Sequence, residues 1–120
     1  MSSAIGPLSG QCHCGSVCIT VARAPAYINE CNCSLCHSLG ASWCYFASSA
    51  VEISGDTTGY VRGDLPVAEL AVHHCPTCGT TTHWVPLKGG PDPRMGVNTR
   101  LFANEEMDGV EIRYPDGKSW

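Results

Sequence analysis

Three cysteines, Cys31, Cys33 and Cys36, fall within six positions of the stretch ECNCSLCHS. Thiolates spaced this closely converge on a metal ion, and a tetrahedral site takes four ligands. Two further groups share that chemistry. The stretch QCHCG carries Cys12 and Cys14. HCPTCG carries Cys75 and Cys78 in a CxxC knuckle, where a turn aims two thiolates at one ion and the following glycine admits a tight backbone. Cys18 and Cys44 stand alone in strand-like segments and read as small buried hydrophobes.

Setting those two aside leaves seven cysteines, which divide as four plus three. Cys12, Cys14, Cys75 and Cys78 would close a structural four-cysteine site between corners sixty residues apart. Cys31, Cys33 and Cys36 would hold a second zinc with one position left for water or substrate, the pattern of a catalytic zinc. Spacing leaves another partition open: Cys33, Cys36, Cys75 and Cys78 also form CxxC…CxxC, the pairing of a zinc ribbon. Its gap of 38 residues is long for a ribbon, and it strands Cys12, Cys14 and Cys31, so two sites are favoured. His37, next to Cys36, is a candidate fourth ligand or proton carrier. His73 and His74 flank the knuckle, but neighbours in a strand point to opposite faces. His13 is expected to point away from the metal, and nothing in the sequence places His83.

The composition frames these sites. Nine cysteines in 120 residues is an odd count, and a closed disulfide framework would leave one over. The N-terminus has neither the basic start nor the apolar run of a signal peptide, so a cytoplasmic protein with reduced thiols is expected. No run approaches membrane-spanning length. The net charge of −4, with seven basic residues dispersed, gives no footprint for nucleic acid or an anionic membrane.

The elements that must position the cysteines are short. Thirteen glycines and eight prolines punctuate the chain into turns, and no segment sustains a helical period. SVCITVA alternates, with Val17, Ile19 and Val21 facing one way. AYINECN is extended and leads into the cysteine cluster. SLCHSLG is predicted as one or two helical turns, capped by Ser34 and stopped at Gly40. ASWCYFA and VEISG read as strands around the Ser48–Ser49 turn. PVAELAVHHC runs into the knuckle and TTTHWV leaves it. PLKGGPDPR is a loop, and GVNTRLF and GVEIRY are further strands. The expectation is one mainly β domain over residues 1–120, built of short antiparallel strands and stapled by zinc, since so small a core needs a staple.

Together, SGQCHCGSVCITV, ECNCSLCHSLGAS and HHCPTCGTTTHW resemble the glutathione-dependent formaldehyde-activating enzyme family, which also includes centromere protein V. The likeness spans about 8–85, and the β-rich extension 86–120 resembles the tail of many bacterial members. The resemblance implies a β-tent type of fold. It also implies a structural zinc on Cys12, Cys14, Cys75 and Cys78 and a catalytic zinc on Cys31, Cys33 and Cys36. The implied activity is that of a carbon–sulfur lyase joining glutathione to formaldehyde, or cleaving the adduct. A free thiol is mostly protonated at neutral pH, and zinc binding makes it a thiolate able to attack an aldehyde carbon.

Glutathione carries two carboxylates. Arg62, Arg94 and Arg100 are candidates by type to receive them, although an ordinary surface charge is the plainer reading of each. Two other readings stand beside the enzyme. A thiol-redox or metal-handling protein would use the 31–36 cluster reversibly. A non-enzymatic zinc-binding interaction module would want a basic face, which this acidic chain lacks.

Overall fold

The computed structural model describes residues 6–64 and 66–116. Ten short strands carry the fold: β1 (Leu8–Gln11), β2 (Cys18–Val21), β3 (Tyr27–Asn29), β4 (Trp43–Ala47), β5 (Val51–Ser54), β6 (Thr58–Val61), β7 (Leu70–His74), β8 (Thr81–Pro86), β9 (Arg94–Asn98) and β10 (Glu111–Arg113). The one α-helix among the described residues, α1 (Ser34–Leu39), follows β3. The fold is mainly β, as expected. The strands form a three-stranded sheet ordered β1-β2-β5 and a seven-stranded sheet ordered β10-β3-β4-β9-β8-β7-β6.

Among the described residues all pairings are antiparallel except one: β10 runs parallel to β3, with Ile112 opposite Ile28. This departs from an all-antiparallel expectation. β10 reaches β3 after a long excursion rather than a hairpin, so nothing local forces its direction.

Alternation sets the layers. Val17, Ile19 and Val21 are essentially inaccessible, while Cys18 and Thr20 are only half-buried. Burying each of these aliphatic side chains contributes about 1.5–3 kcal/mol. Ile19 and Val21 pack with Leu8 against Cys44 and Phe46 of β4 and Met95 and Val97 of β9, forming the main core between the sheets. Cys44 is the buried core thiol its context suggests. Cys18 instead is partly exposed, with Sγ 3.8 Å from the carbonyl of Gly15.

β4 and β5 are strands as predicted, yet they do not pair. The chain changes sheet at a 3-10 turn, Ser48–Ala50. Asp92 holds that turn by accepting from the Ser49 amide and hydroxyl, both at 2.8 Å. β1 and β6 have no counterpart among the predicted strands. β6 is exposed throughout and β1 contains a glycine, so neither shows a clear period of two; each is the edge of its sheet.

The remaining face of the seven-stranded sheet carries the site. Trp43 and Tyr45 on β4, Arg94 and Gly96 on β9, Trp84 on β8, and Leu70 and Val72 on β7 share that face by register and alternation. Leu35, Cys36 and Leu39 of α1 pack against Trp43 and Val72 there. No helix among the described residues is long and apolar enough to cross a membrane.

Candidate metal centre and active site

Two hairpin corners, one from each sheet, meet at the first cysteine set. Between β1 and β2 the chain turns through Cys12–Ser16, with Gly15 at φ 83° and its amide bonded to the Cys12 carbonyl. Between β7 and β8, Gly79 takes φ 79° and donates to the Cys75 carbonyl. A side chain would be strained at either glycine.

The resulting geometry suits a metal ion. The sulfurs of Cys12, Cys14, Cys75 and Cys78 all lie within 4.8 Å of one another. Cys12 to Cys14 is 3.7 Å and Cys14 to Cys75 is 3.6 Å. A tetrahedron with metal–sulfur bonds of about 2.3 Å has edges of roughly 3.8 Å, so these spacings fit one.

Donors already face the sulfurs. The Val17 amide points at Cys12 Sγ, and the amides of Thr77 and Cys78 point at Cys75 Sγ, at 3.3–3.5 Å. The Ser16 hydroxyl lies 3.0 Å from Cys14 Sγ and 3.3 Å from Cys75 Sγ, and the Thr80 hydroxyl lies 3.2 Å from Cys78 Sγ. The bond from Ser16, then the Cys78 amide, brings the Cys75 thiol down to about 7, and the Thr80 hydroxyl and amide bring Cys78 down to about 5. Donors that stabilise thiolates complement a metal-bound set. Neither His13 nor the His73–His74 pair joins it. His73 instead stacks on His83, with ring centroids 4.7 Å apart.

The second set is built around α1. Cys31 follows β3, Cys33 caps the helix, and Cys36 lies in the helix itself. Their sulfurs are also within 4.8 Å of one another. The cap is Cys33 and not Ser34 as predicted: the Cys36 amide donates to Cys33 Sγ at 3.4 Å, while Gly40 ends the helix at φ 65°. This ties the helix start to the site, because the sulfur that caps it is also a candidate ligand. Burial opposes ionisation of Cys33, but donors from Cys36, Cys31 and Arg62 outweigh it and lower its pKa. Burial and the neighbouring Cys33 push Cys36 up to about 12, with the adjacent Trp43 side chain opposing the shift. Metal binding would deprotonate both.

These three sulfurs line a cavity of about 240 Å³. Its walls are the aromatic and aliphatic side chains of the sheet face, with Asn29, Tyr45, Arg62, Glu69 and Arg94 as the polar groups. Arg62 bonds Asp64 through Nε and Nη2, both at 2.7 Å, and reaches Ser34 at 3.3 Å. Arg94 lies over the Tyr45 ring, 4.5 Å from its centroid. Trp84, Leu70, Glu69, Val67 and Arg94 also line an adjoining cleft of about 500 Å³ that contains Lys88. Thus the structure brings Arg62 and Arg94 to the cavity, whereas Arg100 is exposed and lines neither space. His37 is exposed on α1 and is not among the cavity-lining residues.

Sequence reading missed Tyr45, Trp84 and Asn29. Their signal was the alternation of ASWCYFA and TTTHWV, which marks strands but not what a face encloses.

Fold and site together define a class: a small β protein with one four-cysteine and one three-cysteine set, each spaced to accept a metal ion, the second opening on a cavity. The family described as glutathione-dependent formaldehyde-activating enzyme matches residues 7–111, and the chain belongs to that family. A search of curated proteins gives no match. Among solved structures, the crystal structure of a Rhodobacter sphaeroides protein is similar, with 26% identity and a TM-score of 0.66 over 88% of this chain and 100% of that one.

Proposed function

We propose that this chain is a zinc-dependent carbon–sulfur lyase-type enzyme. It adds the thiol of glutathione to formaldehyde or another small aldehyde, and runs the reverse cleavage. The observation that carries the reading is the three-cysteine set at a cavity, beside a separate set of four. Zinc bound to the three would keep a substrate thiol ionised at neutral pH and polarise a carbonyl.

The chain's own groups supply the rest. Trp43, Trp84, Leu35 and Val72 give the thiol end an apolar lining. Arg94 and Lys88 have no acidic partner among the described residues, and Glu69 has no basic one. Two cations and one anion complement glutathione, which carries two carboxylates and one ammonium. Cys12, Cys14, Cys75 and Cys78 would hold the second, structural zinc.

The test is zinc content by elemental analysis, with exchange NMR of 13C-formaldehyde and glutathione on the zinc-loaded protein. Two zincs per chain and accelerated exchange are expected. One zinc indifferent to thiols, with exchange at the uncatalysed rate, would overturn the reading.

A further inference from the structure

The cavity contains a hydroxyl whose surroundings suit the aldehyde's oxygen. Tyr45 stands two residues along β4 from Trp43, on the same face. Trp43 packs with Cys36, so Tyr45 leaves the sheet one pleat beyond a residue in contact with a candidate ligand. Asn29 lies opposite Trp43 across the β3–β4 pair and diagonal to Tyr45. From there its Nδ2 donates to Tyr45 Oη at 2.9 Å. That bond occupies the phenol as an acceptor. It leaves the phenol's own proton without an acceptor among the described residues, in a side chain that lines the same cavity as the three sulfurs.

The ring is held from three sides. Tyr27 lies 5.8 Å away, Trp84 lies 6.0 Å away, and the Arg94 guanidinium covers one face at 4.5 Å. A donor fixed in place before charge develops is the arrangement that stabilises an oxyanion most effectively. The guanidinium also places positive charge over the face of the phenol ring.

We infer that Tyr45 is a catalytic residue, the hydrogen-bond donor that receives the aldehyde oxygen as the carbon–sulfur bond forms. This rests on the proposed reaction at the same cavity. The thiolate sulfur of the substrate forms a bond to the carbonyl carbon. The π pair of C=O moves onto oxygen, which takes the phenolic proton, and water restores that proton to Tyr45. In the reverse direction the phenol first gives its proton to water, the phenolate oxygen then accepts the hydroxyl proton, C=O re-forms, and the carbon–sulfur pair leaves with sulfur. Asn29 is a positioning residue, since it fixes which way the phenol donates.

The test compares Tyr45→Phe and Asn29→Asp with the wild-type zinc-loaded protein in the exchange assay. Calorimetric affinity for glutathione without aldehyde and zinc content are measured on each. Tyr45→Phe keeps the ring contacts and is expected to lose about 100-fold in exchange rate, with glutathione affinity and zinc unchanged. Asn29→Asp turns the partner into an acceptor that draws the phenolic proton away from the cavity, and should lose at least about tenfold. A wild type that accelerates exchange beside a Tyr45→Phe protein within about threefold of it would overturn the role of Tyr45 while leaving the enzyme reading intact. A wild type that does not accelerate exchange would overturn both.

Discussion

Trp84 lies directly over Gly96. The two are paired across β8 and β9, and a β-carbon on Gly96 would collide with the indole nitrogen. Gly96 is also paired with Tyr45 on its other side. The missing side chain therefore lets the indole lie across β9 toward the phenol, closing one wall of the cavity. Gly96→Ala should destabilise the fold by about 1–3 kcal/mol through overpacking and displace Trp84. Thermal melts and tryptophan fluorescence check this. An alanine variant with unchanged stability and emission would show that the close approach is not required.

The two cysteine sets should answer differently to the loss of one sulfur. Cys75 joins corners from different sheets, so Cys75→Ser should drop the melting temperature by roughly 10 °C or more and release one zinc. Cys33 sits at the start of a short helix on one face. Cys33→Ser should leave the fold standing and abolish exchange. Equal loss of stability in both variants would refute the division between a stapling set and a working set.

The buried His83 makes stability depend on acidity. Burial, then the charge of the neighbouring His73, brings its pKa down to about 4 from an ordinary 6.5. Between those values the unfolded chain binds a proton that the folded chain refuses. The contribution is therefore fully present above pH 6.5 and is lost as pH falls toward 4, on the order of 3 kcal/mol in total. Denaturant unfolding at about pH 7 and about pH 5 should show a smaller decline in His83→Gln than in the wild type. Acid protonation of the cysteines affects both proteins, so the difference between them isolates His83. Parallel declines would remove it as the cause.

Arg94 is poised to select the thiol. It lines both the cavity and the adjoining cleft and has no acidic partner among the described residues. A charge-assisted bond to a carboxylate there is worth about 1.5–3 kcal/mol when well made, and less at this exposed position. Arg94→Gln should raise KM for glutathione about tenfold, with partial recovery in Arg94→Lys. An unchanged KM would mean the carboxylates are received elsewhere.

Much of this architecture was legible before any coordinates. The alternation of Val17, Ile19 and Val21 announced a buried face because strand geometry repeats every two residues. Gly40 announced a helix end because glycine tolerates positive φ. The grouping of the cysteines followed from short spacings and family resemblance, since CxxC turns are local constructions. Spacing alone still left a ribbon pairing open; the structure instead brings Cys75 and Cys78 together with Cys12 and Cys14, leaving Cys33 and Cys36 with Cys31.

The cavity belongs to the tertiary structure alone. Asn29, Tyr45, Arg62, Trp84 and Arg94 come from four strands and the segment after β6, and only the order β3-β4-β9-β8-β7-β6 gathers them on one face. A strand's own residues record which of them are buried, not which strand lies beside it. Register is fixed by the common need to bury Cys44, Phe46, Met95 and Val97 against the small sheet, and that in turn presents Trp43, Tyr45 and Gly96 to the other side. The sequence by itself determined which sulfurs were available and which periods the strands follow. Long-range pairing alone decided that a phenol, two arginines and three thiols would share one cavity.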